Sequence, residues 1–121
     1  MLYSDFITEF KKLCPDSWSL WVETSLNVSL SNIEQVAEIF DIFVVDIKSM
    51  DEDIYKSYTG GSLSVAKNNL MKLFNIIGPE RIITRVPLIP DYSSKNDQIR
   101  TVKELQELGI TQIDAFTYKN R

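Results

Sequence analysis

The sequence contains no histidine and a single cysteine, Cys14. The first absence removes the commonest general base and the commonest metal ligand. The second excludes a disulfide framework, a zinc site or a cysteine-ligated cluster built from this chain's own thiols. No apolar run reaches membrane length. Basic residues are in the minority, 13 Lys and Arg against 17 Asp and Glu, and a net charge of −4 argues against a nucleic-acid surface. A reducing, cytoplasmic compartment is the expectation. What is present is ordinary for a globular chain: 121 residues, 44% hydrophobic and 25% charged, enough for one domain or part of one with a small core.

The chain is organised around Asp41-Ile42-Phe43-Val44-Val45-Asp46-Ile47-Lys48. Its apolar run, rich in β-branched residues, predicts a short strand buried on both faces, as in a parallel sheet. Asp46 and Lys48 follow as the strand ends, and period-two geometry puts them on the same side. Such a pair either closes a strand as a simple salt bridge or belongs to a site, since α/β folds keep their chemistry at the carboxyl ends of strands.

Residues 3–13 carry Phe6, Ile7, Phe10 and Leu13 at helical spacing, and Pro15 and Asp16 end the helix. Trp18 to Val22 reads as a strand running into Glu23 and Thr24, with both tryptophans assigned to the core rather than to a stacking platform, because the chain is acidic. Ser31 with Glu34 forms a capping box for a helix through Phe40. After the strand at 41–47, Ser49 with Glu52 predicts a capped helix across 51–57. A longer helix runs from Leu63 to Ile77, stopped by Gly78-Pro79. Within it Asn69 either bonds to a neighbouring loop or faces solvent. Arg81 to Val86 is a strand, Ser94 with Asp97 caps a helix to Leu108, and Ile110 to Thr117 is a last strand. Strands alternate with helices and no two are hairpin-joined, which predicts an α/β fold with four parallel strands and right-handed crossovers, half of a barrel or a short open sheet.

In such a sheet the strand ends approach one rim. They bring Glu23 and Thr24, then Asp46 and Lys48, then Arg85, then Asp114 with Tyr118 and Lys119. Singly, each has a bland reading as a solvated end or, for Arg85, as a structural bridge to Glu23 or Asp46. Gly60-Gly61 before a helix suggests either an anion-binding turn or a flexible one. It has neither Walker nor dinucleotide spacing.

The segments Glu23-Thr24-Ser25, Val45-Asp46-Ile47-Lys48-Ser49-Met50-Asp51, Tyr58-Thr59-Gly60-Gly61, Asn69-Leu70 and Arg85-Val86-Pro87-Leu88-Ile89-Pro90 together resemble the glycyl radical enzyme activating enzymes, including those of pyruvate formate-lyase. That family belongs to the radical S-adenosylmethionine superfamily. The resemblance implies a partial (β/α)6 barrel of TIM type, S-adenosylmethionine cleaved reductively at a 4Fe–4S cluster, and a glycyl radical enzyme as partner. By position it implies that Glu23, Thr24 and Asp46 line the cofactor region. Glu23 and Asp46 also fall at a monovalent cation site of some members. The resemblance likewise places Lys48 and Arg85 where the family contacts S-adenosylmethionine. Lys119 stands where many members carry histidine, and Asp91 replaces a common glycine. The family's Cys-x-x-x-Cys-x-x-Cys and Gly-Gly-Glu stretches have no counterpart here. The expectation is thus residues 1–121 as a single truncated domain, the carboxy-terminal half of the barrel, with no cluster ligands, no tightly bound cofactor and no activity alone.

Two other readings stand beside this one. The chain is a non-catalytic interaction module that kept the fold, or a lyase using Lys48 as a Schiff-base amine with Glu23 or Asp46 moving protons. A half barrel also leaves the strand at 18–23 as an uncovered edge, which predicts a homo-oligomer. No nucleic acid or membrane is expected as a partner.

Overall fold

The computed structural model describes residues 4–15, 17–26, 30–90 and 93–117, with the side chains of residues 4–8, 30, 31 and 58 outside the description. Helix α1 spans Ser4–Leu13 and strand β1 Trp21–Thr24. Then come α2 (Leu30–Val36), β2 (Ile42–Asp46), α3 (Glu52–Thr59) and α4 (Leu63–Ile77). A 3-10 turn at Pro79–Arg81 leads into β3 (Ile82–Leu88), α5 (Lys95–Glu107) and β4 (Ile113–Thr117). The strands form one sheet in the order β1-β2-β3-β4, and every pairing is parallel. This is the α/β class that the alternation of elements predicts.

Sequential parallel strands joined by right-handed crossovers send every connection over the same face. Burial follows that rule. Phe43 and Val45 of β2 and Ile82 and Val86 of β3 are buried, and form one core with Leu70 and Leu73 of α4 and Leu105 of α5. Their strand neighbours Ile42, Val44 and Ile83, pointing the other way, are only half-buried. β2 is therefore covered on one face, not on both as its apolar run predicts. An apolar run reports that both faces have apolar neighbours; among the described residues only one face is roofed by helices.

The helix ends use the residues their chemistry calls for. Asp51, not Ser49, caps α3, accepting from the Asp53 and Ile54 amides at 3.0 and 3.1 Å. Ser62 and Ser94 cap α4 and α5. Gly60 ends α3 in the left-handed conformation, φ 70°, so the glycine pair serves as a helix stop. The capping box of Ser31 lies outside the described side chains. α2 ends at Val36 rather than Phe40, and Arg81 reaches across to donate to the carbonyls of Ala37, Phe40 and Asp41 in the turn that follows.

Two apolar expectations are corrected. Trp18 and Trp21 are not core: they are 53% and 60% exposed. β1 begins at Trp21, just after Leu20 accepts the amides of Asp41 and Ile42, and Trp21 lies on the unroofed face. Phe10 and Leu13 of α1 are also exposed, while Phe6 and Ile7 lie among the side chains not described.

Candidate functional site on the open face

Register decides which side chains meet. Directly paired residues of a parallel sheet share a face, so the open face carries rows running across the strands. Trp21 lies beside Ile42, then Glu23 beside Val44 and Ile83. The next row is Asp46–Arg85–Asp114, and Pro87 lies beside Phe116 beyond it. Apart from Glu23 the lower rows are apolar, and the Asp46–Arg85–Asp114 row above them is charged.

Arg85 is the centre of that row. Its Nη1 donates to Glu23 Oε1 at 2.8 Å, its Nε lies 3.7 Å from Asp114 Oδ2, and its guanidinium carbon sits 4.5 Å from the centroid of the Phe116 ring. At this half-exposed site each ion pair contributes up to about 1 kcal/mol and the ring contact about 0.5–1 kcal/mol. Their main effect is to hold a flat, five-donor cation at a fixed angle. Asp46, next to it, has its carboxyl pushed above the usual range. Burial is the largest cause, the nearby Lys48 ammonium opposes it, the Glu23 carboxylate adds to it, and the Arg85 guanidinium opposes it. Lys48 is half-buried, one residue past Ile47, whose amide donates to the Arg85 carbonyl at 2.9 Å and so continues the β2–β3 pairing.

Of the residues singled out from sequence, Glu23, Asp46, Lys48 and Arg85 come together. Thr24 does not join them. It pairs with Val45 on the helix-covered side, and its hydroxyl accepts the Leu26 amide at 3.0 Å. Leu26 is buried in a left-handed conformation, φ 59°, and its carbonyl accepts from the Asn69 amide nitrogen at 2.7 Å. Thr24 and Asn69 therefore brace the loop that follows Glu23. Lys119 and Asp91 lie outside the described residues. Phe116 was missed by sequence reasoning, although period two from Asp114 points to it.

Three carboxylates and two cations alternate on this face, a pattern suited to a zwitterion that carries both charges and hydroxyls. An iron–sulfur cluster does not fit the residues present. Cys14 is the sole thiol in the sequence, it lies just past α1, and its Sγ donates to the Phe10 carbonyl at 3.4 Å. Among the described residues no group of three His, Cys, Asp or Glu side chains is arranged to hold a metal ion.

Among the described residues the architecture is a four-stranded parallel sheet, roofed by helices on one face and charged at the strand ends on the other. No protein-family model matches the chain. It is 31% identical over 112 residues to the (2S)-3-sulfopropanediol dehydratase activating enzyme of Klebsiella oxytoca, covering 90% of this chain and 35% of that protein. It is 30% identical over 100 residues to the indoleacetate decarboxylase activating enzyme of Tractidigestivibacter scatoligenes, covering 82% of this chain and 31% of that protein. In fold it resembles a crystallised domain of a pyruvate-formate lyase-activating enzyme from Bacteroides vulgatus, with TM-score 0.66 and 15% identity over 98% of this chain and 92% of that one. The chain is thus a relative of the glycyl radical enzyme activating enzymes, and spans about a third of the length of the curated relatives it matches. Among the described residues no helix is long and apolar enough to cross a membrane.

Proposed function

We propose that this stretch forms the strand-end part of the S-adenosylmethionine site of a glycyl radical enzyme activating enzyme, as the carboxy-terminal half of its barrel. One observation carries the reading: the Asp46–Arg85–Asp114 row, flanked by Glu23 and Lys48, stands on the face that no described helix covers. All-parallel sheets are stable with both faces covered, so this face is the inside of a larger assembly. Arg85 and Lys48 suit the cofactor's carboxylate and ribose oxygens. Asp46, Glu23 and Asp114 suit its ammonium and hydroxyl groups and keep the cations from binding each other's anions alone. Given an electron from a 4Fe–4S cluster held by other polypeptide, the cofactor would supply radical chemistry directed at a glycine of a partner enzyme. This chain's residues bind it, orient it and set the charge around it.

With one thiol, the chain leaves the cluster to other polypeptide. The uncovered edge of β1, with Trp21 and the nearby Trp18 exposed, is the natural seam for it or for a second copy of this chain. The test is anaerobic reconstitution with iron, sulfide and dithionite, read as 5′-deoxyadenosine. The 121-residue chain alone is expected to match a no-protein blank. Joined to polypeptide bearing the three-cysteine pattern it is expected to form product, and Arg85→Ala or Lys48→Ala in that joined form to lose most of it. Product from this chain alone, or full activity in both variants, would overturn the reading.

A further inference from the structure

The buried polar residues of α5 have no part in the open face, and they are arranged in a telling order. Asp97 is 4% exposed, and Gln98 and Thr101 are also buried. Three consecutive residues of the β2–α3 loop bond to one side of this helix. Ser49 Oγ donates to both Asp97 oxygens, at 3.1 and 3.0 Å. The Met50 amide donates to Thr101 Oγ1 at 3.1 Å. Arg100 Nη2 lies 3.3 Å from Asp51 Oδ2 and 3.0 Å from Asp97 Oδ1. Positions 97, 100 and 101 are spaced i, i+3 and i+4, so they form one continuous helical face. The residue just before this clasped segment is Lys48. On its other side Ile47 is bonded to β3.

The same two turns of α5 hold the neighbouring strands. Gln98 Nε2 donates to the carbonyls of Val86 and Phe116, each at 3.0 Å, one residue past Arg85 on β3 and two past Asp114 on β4. The first turns of α5 thus touch the carboxyl ends of β2, β3 and β4 from the covered side.

The geometry points to Asp97 as a positioning residue for the ligand face: it touches no ligand, and through Ser49 it fixes where Lys48 stands relative to Arg85. The inference rests on the proposed cofactor site for its consequence but not for its test. A buried carboxylate accepting from Ser49 and Arg100 is costly to leave half-partnered, so the loop has one low-energy docking and little freedom to slide. Misplacing a ligating group by about 1 Å is enough to weaken its action by roughly a hundredfold, which makes the anchor as consequential as a contact.

The test uses the full chain with its lysines carrying ¹³C-dimethyl labels, Lys48 being assigned by Lys48→Arg, together with amide exchange at residues 48–51. Ser49→Ala removes the link without leaving an unpaired hydroxyl; it also removes the oxygen that accepts the Asp51 amide at 2.9 Å, so that amide is read apart from the others. Asp97→Asn keeps one acceptor for Ser49, and Asp97→Ala keeps none. Exchange at 48–51 is expected to rise roughly tenfold in Ser49→Ala and Asp97→Ala, and less in Asp97→Asn. The Lys48 signal is expected to move towards the position of a solvated lysine. Amides around Arg81, at the opposite end of the strands, should stay protected, which separates loosening of the loop from a general loss of stability. An unchanged Lys48 signal in Ser49→Ala, with exchange at 48–51 no faster than elsewhere, would overturn the inference, and Ser49→Ala is decisive even where Asp97→Ala does not fold. Titration with S-adenosylmethionine then separates the two proposals. If Lys48 responds to Ser49→Ala but not to the cofactor, the positioning role stands and the cofactor site falls.

Discussion

Replacing Asn69 with alanine tests how the loop behind Glu23 is held. Asn69 is buried in α4, and its side-chain amide donates to the buried carbonyl of Leu26 at 2.7 Å. Leu26 itself is held at φ 59°, a conformation that costs a non-glycine residue about 1–2 kcal/mol and persists only where its surroundings impose it. The alanine variant leaves that carbonyl without the amide donor, at about 1–3 kcal/mol, and removes one of the two groups that impose the conformation, Thr24 being the other. Unfolding entropy near 2.1 cal/mol/K per residue gives a domain of this size about 0.25 kcal/mol/K, so the expected fall in Tm is about 4–12 °C. Thermal and urea denaturation should agree on it. Asn69→Asp gives a sharper form of the test. An ionised carboxylate facing a carbonyl is repelled, whereas the protonated form donates as the amide did. The folded-state pKa of the new carboxyl should therefore be raised. Its penalty should be absent below the unfolded value of about 3.9 and grow as pH climbs through the folded one. A loss under about 0.5 kcal/mol in Asn69→Ala, or a pH-independent loss in Asn69→Asp, would refute the reasoning.

Asp46→Asn should stabilise the chain at neutral pH. The raised Asp46 carboxyl favours folding when protonated, a contribution present below its ordinary 3.8 and lost as pH rises through the folded-state value, so urea midpoints of the two proteins should converge in acid. Gly109→Ala should cost about 1–3 kcal/mol, because φ is +101° and the new Cβ would lie 3.0 Å from the Phe74 ring. Gly60→Ala, at φ +70° with open space around it, should cost less, about 1 kcal/mol, and calorimetry ranks the pair. Arg85→Met should leave stability within about 1 kcal/mol, since its partners Glu23 and Asp114 are more than half exposed, while weakening the ligand face.

Local signals carried the element order well. α4 was legible to the residue, because its apolar period is unbroken and Gly78-Pro79 stops it. The shared face of Glu23, Asp46, Lys48 and Arg85 was legible too, because period two and parallel order fix it without any knowledge of side-chain contacts. Long-range partners were not legible. Ser49 and Asp51 are both good caps two residues apart, and only Asp97, 48 positions away, shows why Ser49 is engaged elsewhere. Trp18 and Trp21 read as core rather than as a stacking platform because the chain is acidic. Their exposure depends on what covers the sheet, and that is not written in these two residues. Thr24 shared a strand end with Glu23 but alternates to the other face, a distinction lost when strand-end residues are grouped together. Asp97, Gln98 and Thr101 did leave a trace, as polar residues at helical spacing on the face of α5 that also carries buried Leu105.

The central claim is that the open face, at the carboxyl ends of β2 and β3, is the ligand face. It is tested most directly by titrating the isotope-labelled chain with S-adenosylmethionine and following amide and side-chain resonances. The shifts expected are confined to Glu23, Asp46, Lys48, Arg85, Asp114 and Phe116, with loss of the response in Arg85→Met. Shifts confined to the helix-covered side, or none on that row at millimolar cofactor, would contradict it.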